Sequence, residues 1–113
     1  MNQEFEKASL SFSKAQNELN DLISTRQQLE TQYQENKIVL DEFSYLNEDS
    51  KIFKLTGPVL LPQDYSEAKI NVEKRIEFIQ EEIKRAETKI QGQQKIIEES
   101  RNTLMDIRQK MSN

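Results

Sequence analysis

The 113 residues contain no cysteine and no histidine, only two glycines and two prolines, and no long run of apolar residues. Each shortage removes a class of function. Without cysteine or histidine there are no disulfides, no zinc sites built on thiolate or imidazole, and no nucleophile activated by an imidazole base. Two glycines cannot build a glycine-rich phosphate loop, and neighbouring acids such as Glu81 and Glu82 fall outside any foreseeable cleft. No stretch approaches the ~20 apolar residues of a membrane span. The opening MNQEFEKASL has neither the cationic nor the apolar region of a secretion signal. Positive charge is also in deficit, with 16 basic against 20 acidic residues. A broad nucleic-acid surface, which needs clustered Lys and Arg to displace counterions, is therefore not expected. The pairs Lys74-Arg75 and Lys84-Arg85 sit among glutamates and read as solvated helix faces. Acidic polar faces also argue against an amphipathic membrane binder. The expectation is a soluble cytoplasmic protein that is not an enzyme and needs no cofactor or metal.

What is present is periodic. Only 35% of the residues are hydrophobic and 32% are charged, too lean for a globular core. Yet from Phe5, alternating steps of three and four give Phe5, Ala8, Phe12, Ala15, Leu19 and Leu22, then continue to Phe43 and Asn47. Ten of those thirteen positions are apolar. The same steps from Tyr65 through Val72, Ile76, Ile79 and Ile83 to Met111 meet eleven apolar residues in fourteen. A 3.5-residue repeat held this long keeps one stripe turned toward a partner helix, as in a coiled coil. Arg26, Asn36, Gln93 and Ser100 interrupt the stripe; polar residues there are expected to fix register. The flanking segments, 1–46 and 65–113, are nearly equal in length, so a bend between them would form an antiparallel hairpin with arms of roughly 60 to 70 Å. Asp64 with Glu67 is expected to cap the second helix, and Asn47 to Ser50 to close the first.

The stretch between the arms is different. FKLTGPVLLP holds both prolines and Gly57 within a run of bulky apolar residues. It reads as a β-hairpin turning at Gly57-Pro58, where glycine accepts a positive φ and proline the negative φ that follows. Pro62 should end its second strand. The expected class is thus mainly α, with one domain over 1–113: a helix at about 3–47, a β-hairpin at about 51–62 and a helix at about 65–111. A lone hairpin is marginal in water. Ile52, Phe53, Leu55, Val59, Leu60 and Leu61 would need cover, so they are the expected assembly residues, joining hairpins of several chains into a sheet or barrel. The alternative is a hairpin folded back on its own coiled coil. Ile38, Val39, Ile70 and Phe78, off the seam beside the insert, would extend the adhesive surface.

At the other end of the arms, Phe5, Leu10 and Phe12 face Leu104, Met105, Ile107 and Met111. Leu10 and Met105 lie off the seam; the alternative reading, which fits Phe12, Leu104 and Ile107 better than these two, is that the apolar residues here simply finish it. Mobile Met and Phe side chains at a fraying helix end suit loose contact with varied apolar partners. All seven are the expected binding residues. A structural or tethering coiled coil is the alternative function.

LETQYQENKIVLDEF at 29–43, IFKLTGPVLLP at 52–62 and SEAKINVEKRIEFIQEEIKR at 66–85 together resemble the β-type subunits of the prefoldin family. The resemblance runs over nearly the whole chain. It implies a heterohexamer of α-type and β-type subunits, with hairpins completing a β-barrel body and coiled-coil arms projecting from it. It further implies capture of non-native proteins such as actin and tubulin at the arm tips, and their delivery without ATP to the cytosolic group II chaperonin. The mapping gives the apolar insert residues to the body and the seven terminal residues to client binding.

Overall fold

A computed structural model describes residues 2–53 and 62–112, with side chains placed at 3–45 and 65–112. Two helices account for all of the described backbone: α1, Asn2–Phe53, and α2, Pro62–Ser112. Neither glycine nor proline occurs within α1, and its bulk of Glu, Gln, Lys and Leu gives little conformational penalty to helix. Glu4 in the first turn of α1 and Lys110 in the last turn of α2 oppose the partial charges at those ends.

Both inner helix ends differ from expectation. α1 does not stop at Asn47 but continues through Ile52 and Phe53, so residues 51–53 are helical rather than extended. Asn, Asp and Ser lower helix propensity by only a few tenths of a kcal/mol each, too little to end the helix at 47–50. Pro62 opens α2 instead of closing a strand. At a first helical position its missing N–H is no loss and its φ already fits. Asp64 consequently lies inside the first turn, not before it. The rest of the expected hairpin, 54–61, lies outside the described residues.

The chain divides into two compact units, Met1–Gln27 with Lys84–Asn113, and Gln28–Ile83. Each pairs a piece of α1 with a piece of α2 running the opposite way. In the first, Gln93 meets Ala15 and Arg26 meets Glu87, so numbers rise on one helix as they fall on the other. In the second, Gln80 meets Tyr33, and Phe43 packs edge-on against Tyr65 with ring centroids 5.3 Å apart. The expected stripe is the packed one. Ala15, Ala86 and Ile97 are buried in the first unit, and Val72, Ile76 and Ile79 in the second. The other seam positions whose side chains are described are half-buried, because a single partner helix covers only one side of each residue. Met111 is the exception at 45% exposed. In the antiparallel register its counterpart would fall at the very start of α1, so the seam has run out of partner.

The polar interruptions divide by role. Arg26 donates from Nε and Nη2 to Glu87 Oε1 at 3.2 and 2.9 Å, and Gln93 Nε2 donates to the Ala15 carbonyl at 3.1 Å and to Glu18 Oε2 at 3.2 Å. These bonds cross between helices and hold register. The short Ala15 side chain leaves the gap through which the Gln93 amide reaches backbone. Asn36, in contrast, donates to Gln32 O of its own helix at 2.7 Å and fixes nothing across the seam.

Gly92 lies within α2, and an added Cβ there would meet nothing within 4 Å. Gly92→Ala should therefore raise stability by about 1 kcal/mol through helix propensity alone. Thermal melting followed by far-ultraviolet circular dichroism measures this; an unchanged midpoint would show that the helix is not continuous there.

Candidate functional site

Among the described residues, no group of acids forms a candidate metal cluster, and no helix is long and apolar enough to cross a membrane. What the described surface offers is unpaired apolar area, and apart from Ile23 it gathers in two places.

The first is the end of the Met1–Gln27/Lys84–Asn113 unit where α1 begins and α2 ends. Phe5, Phe12, Leu104 and Ile107 are half-buried on the seam. Leu10 is 70% exposed, Met105 62% and Met111 is also uncovered. Helical geometry gives the reason: Leu10 follows the seam residue Ala8 by two, and Met105 follows Leu104 by one, which turns each by about 100 to 200° away from the partner helix. Phe5, Glu6, Ser9, Leu10 and Ser13 line an open groove on α1 of about 430 Å³. A cleft of about 300 Å³ between the helices is lined by Ala8, Ser11, Ile96, Glu99, Ser100 and Thr103. It exists because the seam narrows to Ala8 and Ser100, whose side chains are too short to fill it.

Ile96 was not among the expected site residues, yet it is exposed and contributes to this cleft. The signal was the doublet Ile96-Ile97. A seam takes only one of two adjacent residues, and Ile97 is the buried one. All seven expected binding residues thus belong to one unit, three of them well exposed and four only at the margin of the seam. Short polar residues and flexible apolar ones at one helix end make a surface suited to shallow, adaptable contact rather than to a rigid ligand.

The second place is the unit Gln28–Ile83. Ile38, Val39, Ile70 and Phe78 are exposed there, as expected, and Tyr45 joins them. Of the expected assembly residues, Ile52 and Phe53 lie in the final turn of α1, while Leu55, Val59, Leu60 and Leu61 lie outside the described residues. The Tyr65 hydroxyl is buried beside Phe43 and has no hydrogen-bond partner among the described residues.

Residues 6–111 match the family described as prefoldin subunit. Prefoldin subunit 6 of Saccharomyces cerevisiae is 51% identical over 96 residues, spanning 85% of this chain and 84% of that protein. Prefoldin subunit 6 of Mus musculus and of Homo sapiens are each 39% identical over 98 residues, 87% of this chain and 77% and 76% of theirs. No solved structure matches significantly.

Proposed function

The chain belongs to the prefoldin subunit family, and on that premise we propose that it captures non-native proteins through the exposed end of its Met1–Gln27/Lys84–Asn113 unit. The family is one of chaperones, not enzymes, and membership supports a co-chaperone role in company with other prefoldin subunits. The finer reading is ours. It works in the cytoplasm within a heterohexamer of α-type and β-type chains, holds clients such as actin and tubulin without ATP, and passes them to the group II chaperonin.

The observation that carries this reading is the pair Leu10 and Met105, large apolar residues left mostly in water at a helix end that gains nothing from them structurally. Each contact is weak. Several arms acting on one client add up through effective concentration, while low affinity per arm permits release to a chaperonin. The test is light scattering by a chemically denatured protein diluted into the assembled complex. Capture predicts suppressed aggregation without nucleotide. A structural tether predicts none.

Assembly is assigned to the insert, Ile52 to Leu61, whose apolar side chains need a neighbour. Leu55→Asp with Leu60→Asp should abolish the complex, because two carboxylates placed in an apolar contact face a desolvation cost of several kcal/mol. Native mass measurement should find separated chains whose helix content is largely kept. An intact complex would move the assembly site elsewhere.

A further inference from the structure

The exposed apolar residues of the two units sit in different electrostatic frames. Gln28–Ile83 carries twelve acidic and six basic residues, whereas the other unit carries eight acidic and ten basic. The difference is sharpest around the outer face of α1. Ile38 and Tyr45 are seven residues apart, so they share one helix face, opposite the seam. They are 58% and 70% exposed. On a helix the neighbours of a residue are those three and four away. For Ile38 these are Gln34, Glu35, Asp41 and Glu42, and on the N-terminal side of Tyr45 they are again Asp41 and Glu42, all exposed. Lys37 is the single base in the stretch 34–45, and it is turned about 100° from Ile38.

Val39 borders two of the same acids, Glu35 and Glu42, but among the described residues the other apolar side chains more than 60% exposed, Leu10, Phe78 and Met105, lack this frame. Leu10 is flanked at the same spacings by Glu6, Lys7 and Lys14, Phe78 by Lys74, Arg75, Glu81 and Glu82, and Met105 by Arg101 and Arg108. The mixed frames of Leu10 and Phe78 tolerate partners of either charge, and the basic frame of Met105 does not favour cations. An acid-framed apolar stripe favours apolar residues flanked by cations and repels acidic surfaces.

We propose that the outer face of α1 at Ile38 and Tyr45 is a docking stripe for a basic, apolar segment of a different protein chain. The stripe is separate from client capture, and it does not depend on that reading. Glu35, Asp41 and Glu42 supply charge on both sides of the apolar pair, and the aromatic ring of Tyr45 supplies the anchor. A second copy docking the same stripe face to face would set these acids against their own counterparts, so like-with-like pairing is disfavoured.

The test uses the full chain carrying Leu10→Ser and Met105→Ser, which removes the two most exposed apolar side chains of the other unit, and two synthetic helical peptides. Both peptides have leucine at alternating third and fourth positions; one has lysine at the polar positions and the other glutamate. Fluorescence anisotropy should show the lysine peptide binding about tenfold more tightly at low salt, with the preference shrinking as salt screens it. Ile38→Ser with Tyr45→Ser should remove binding, and Asp41→Asn with Glu42→Gln should remove the lysine preference while leaving helix content unchanged. Equal affinity for the two peptides would overturn the proposal, as would a preference that survives neutralisation of Asp41 and Glu42. Sedimentation gives a further check. Self-association of the otherwise unaltered chain that disappears with Ile38→Ser and Tyr45→Ser would assign the stripe to a second copy and overturn the proposal equally.

Discussion

Replacing Ile79 by alanine should lower the unfolding free energy of the chain by about 2 to 4 kcal/mol, the range for deleting a buried branched side chain whose surroundings relax only in part. Ile79 is 4% exposed on the seam between the α1 and α2 segments of Gln28–Ile83. Its immediate neighbour Phe78 is larger but 61% exposed, and Phe78→Ala should change stability by no more than about 0.5 kcal/mol. Chemical denaturation of the isolated full chain, read by circular dichroism, compares the two. The contrast between adjacent residues isolates the seam from hydrophobicity as such. A two-helix pair has no second layer to take up the loss, so the Ile79 change should also broaden the transition. Equal effects at 78 and 79 would mean that the register of α2 is wrong by one residue.

The second large effect is on capture. Leu10→Ser with Met105→Ser in the assembled complex should raise the concentration needed to halve aggregation of a denatured protein by about tenfold, since losing one arm removes its share of a multivalent contact. Stability should hardly move, because both side chains are already largely in water. Ala8, Phe12 and Ile107 make poorer probes: their substitution would loosen the seam and capture together. Light scattering on complexes of verified mass measures the effect. Unchanged suppression would leave these residues as incidental surface.

The seam was legible in the sequence because its physics is one-dimensional. A step of three and four fixes which side of a helix a residue occupies, and among the described residues the buried ones, Ala15, Val72, Ile76, Ile79, Ala86 and Ile97, all lie on the expected stripe. The exposure of Leu10 and Met105 followed from the same geometry. Three things were harder to read. The helix ends were misplaced because they depend on competition between weak propensities: Asn47 to Ser50 disfavour helix too little to stop it, and α1 runs on to Phe53. Cross-helix polar bonds need the axial register as well as the heptad position, so Arg26 with Glu87 and Gln93 with Ala15 emerged only from coordinates, while Asn36 bonds within its own helix. Ile96 was overlooked because attention to the stripe hides the neighbour that the stripe leaves out. Its exposure follows from the seam taking Ile97 instead, whereas the cleft it shares with Ala8 and Ser100 comes from small residues on the seam, a feature of side-chain volume rather than of periodicity.

The most direct measurement is site-specific photo-crosslinking. A photoreactive amino acid placed at position 10, 105 or, as control, 23 in the assembled complex is irradiated with a denatured client present. Ile23 is also an exposed apolar residue of the same unit but lies away from the helix ends. Crosslinking yields at 10 and 105 several times that at 23 are predicted. Client adducts forming equally at 23, or at neither end position, would contradict capture at the end of the arms.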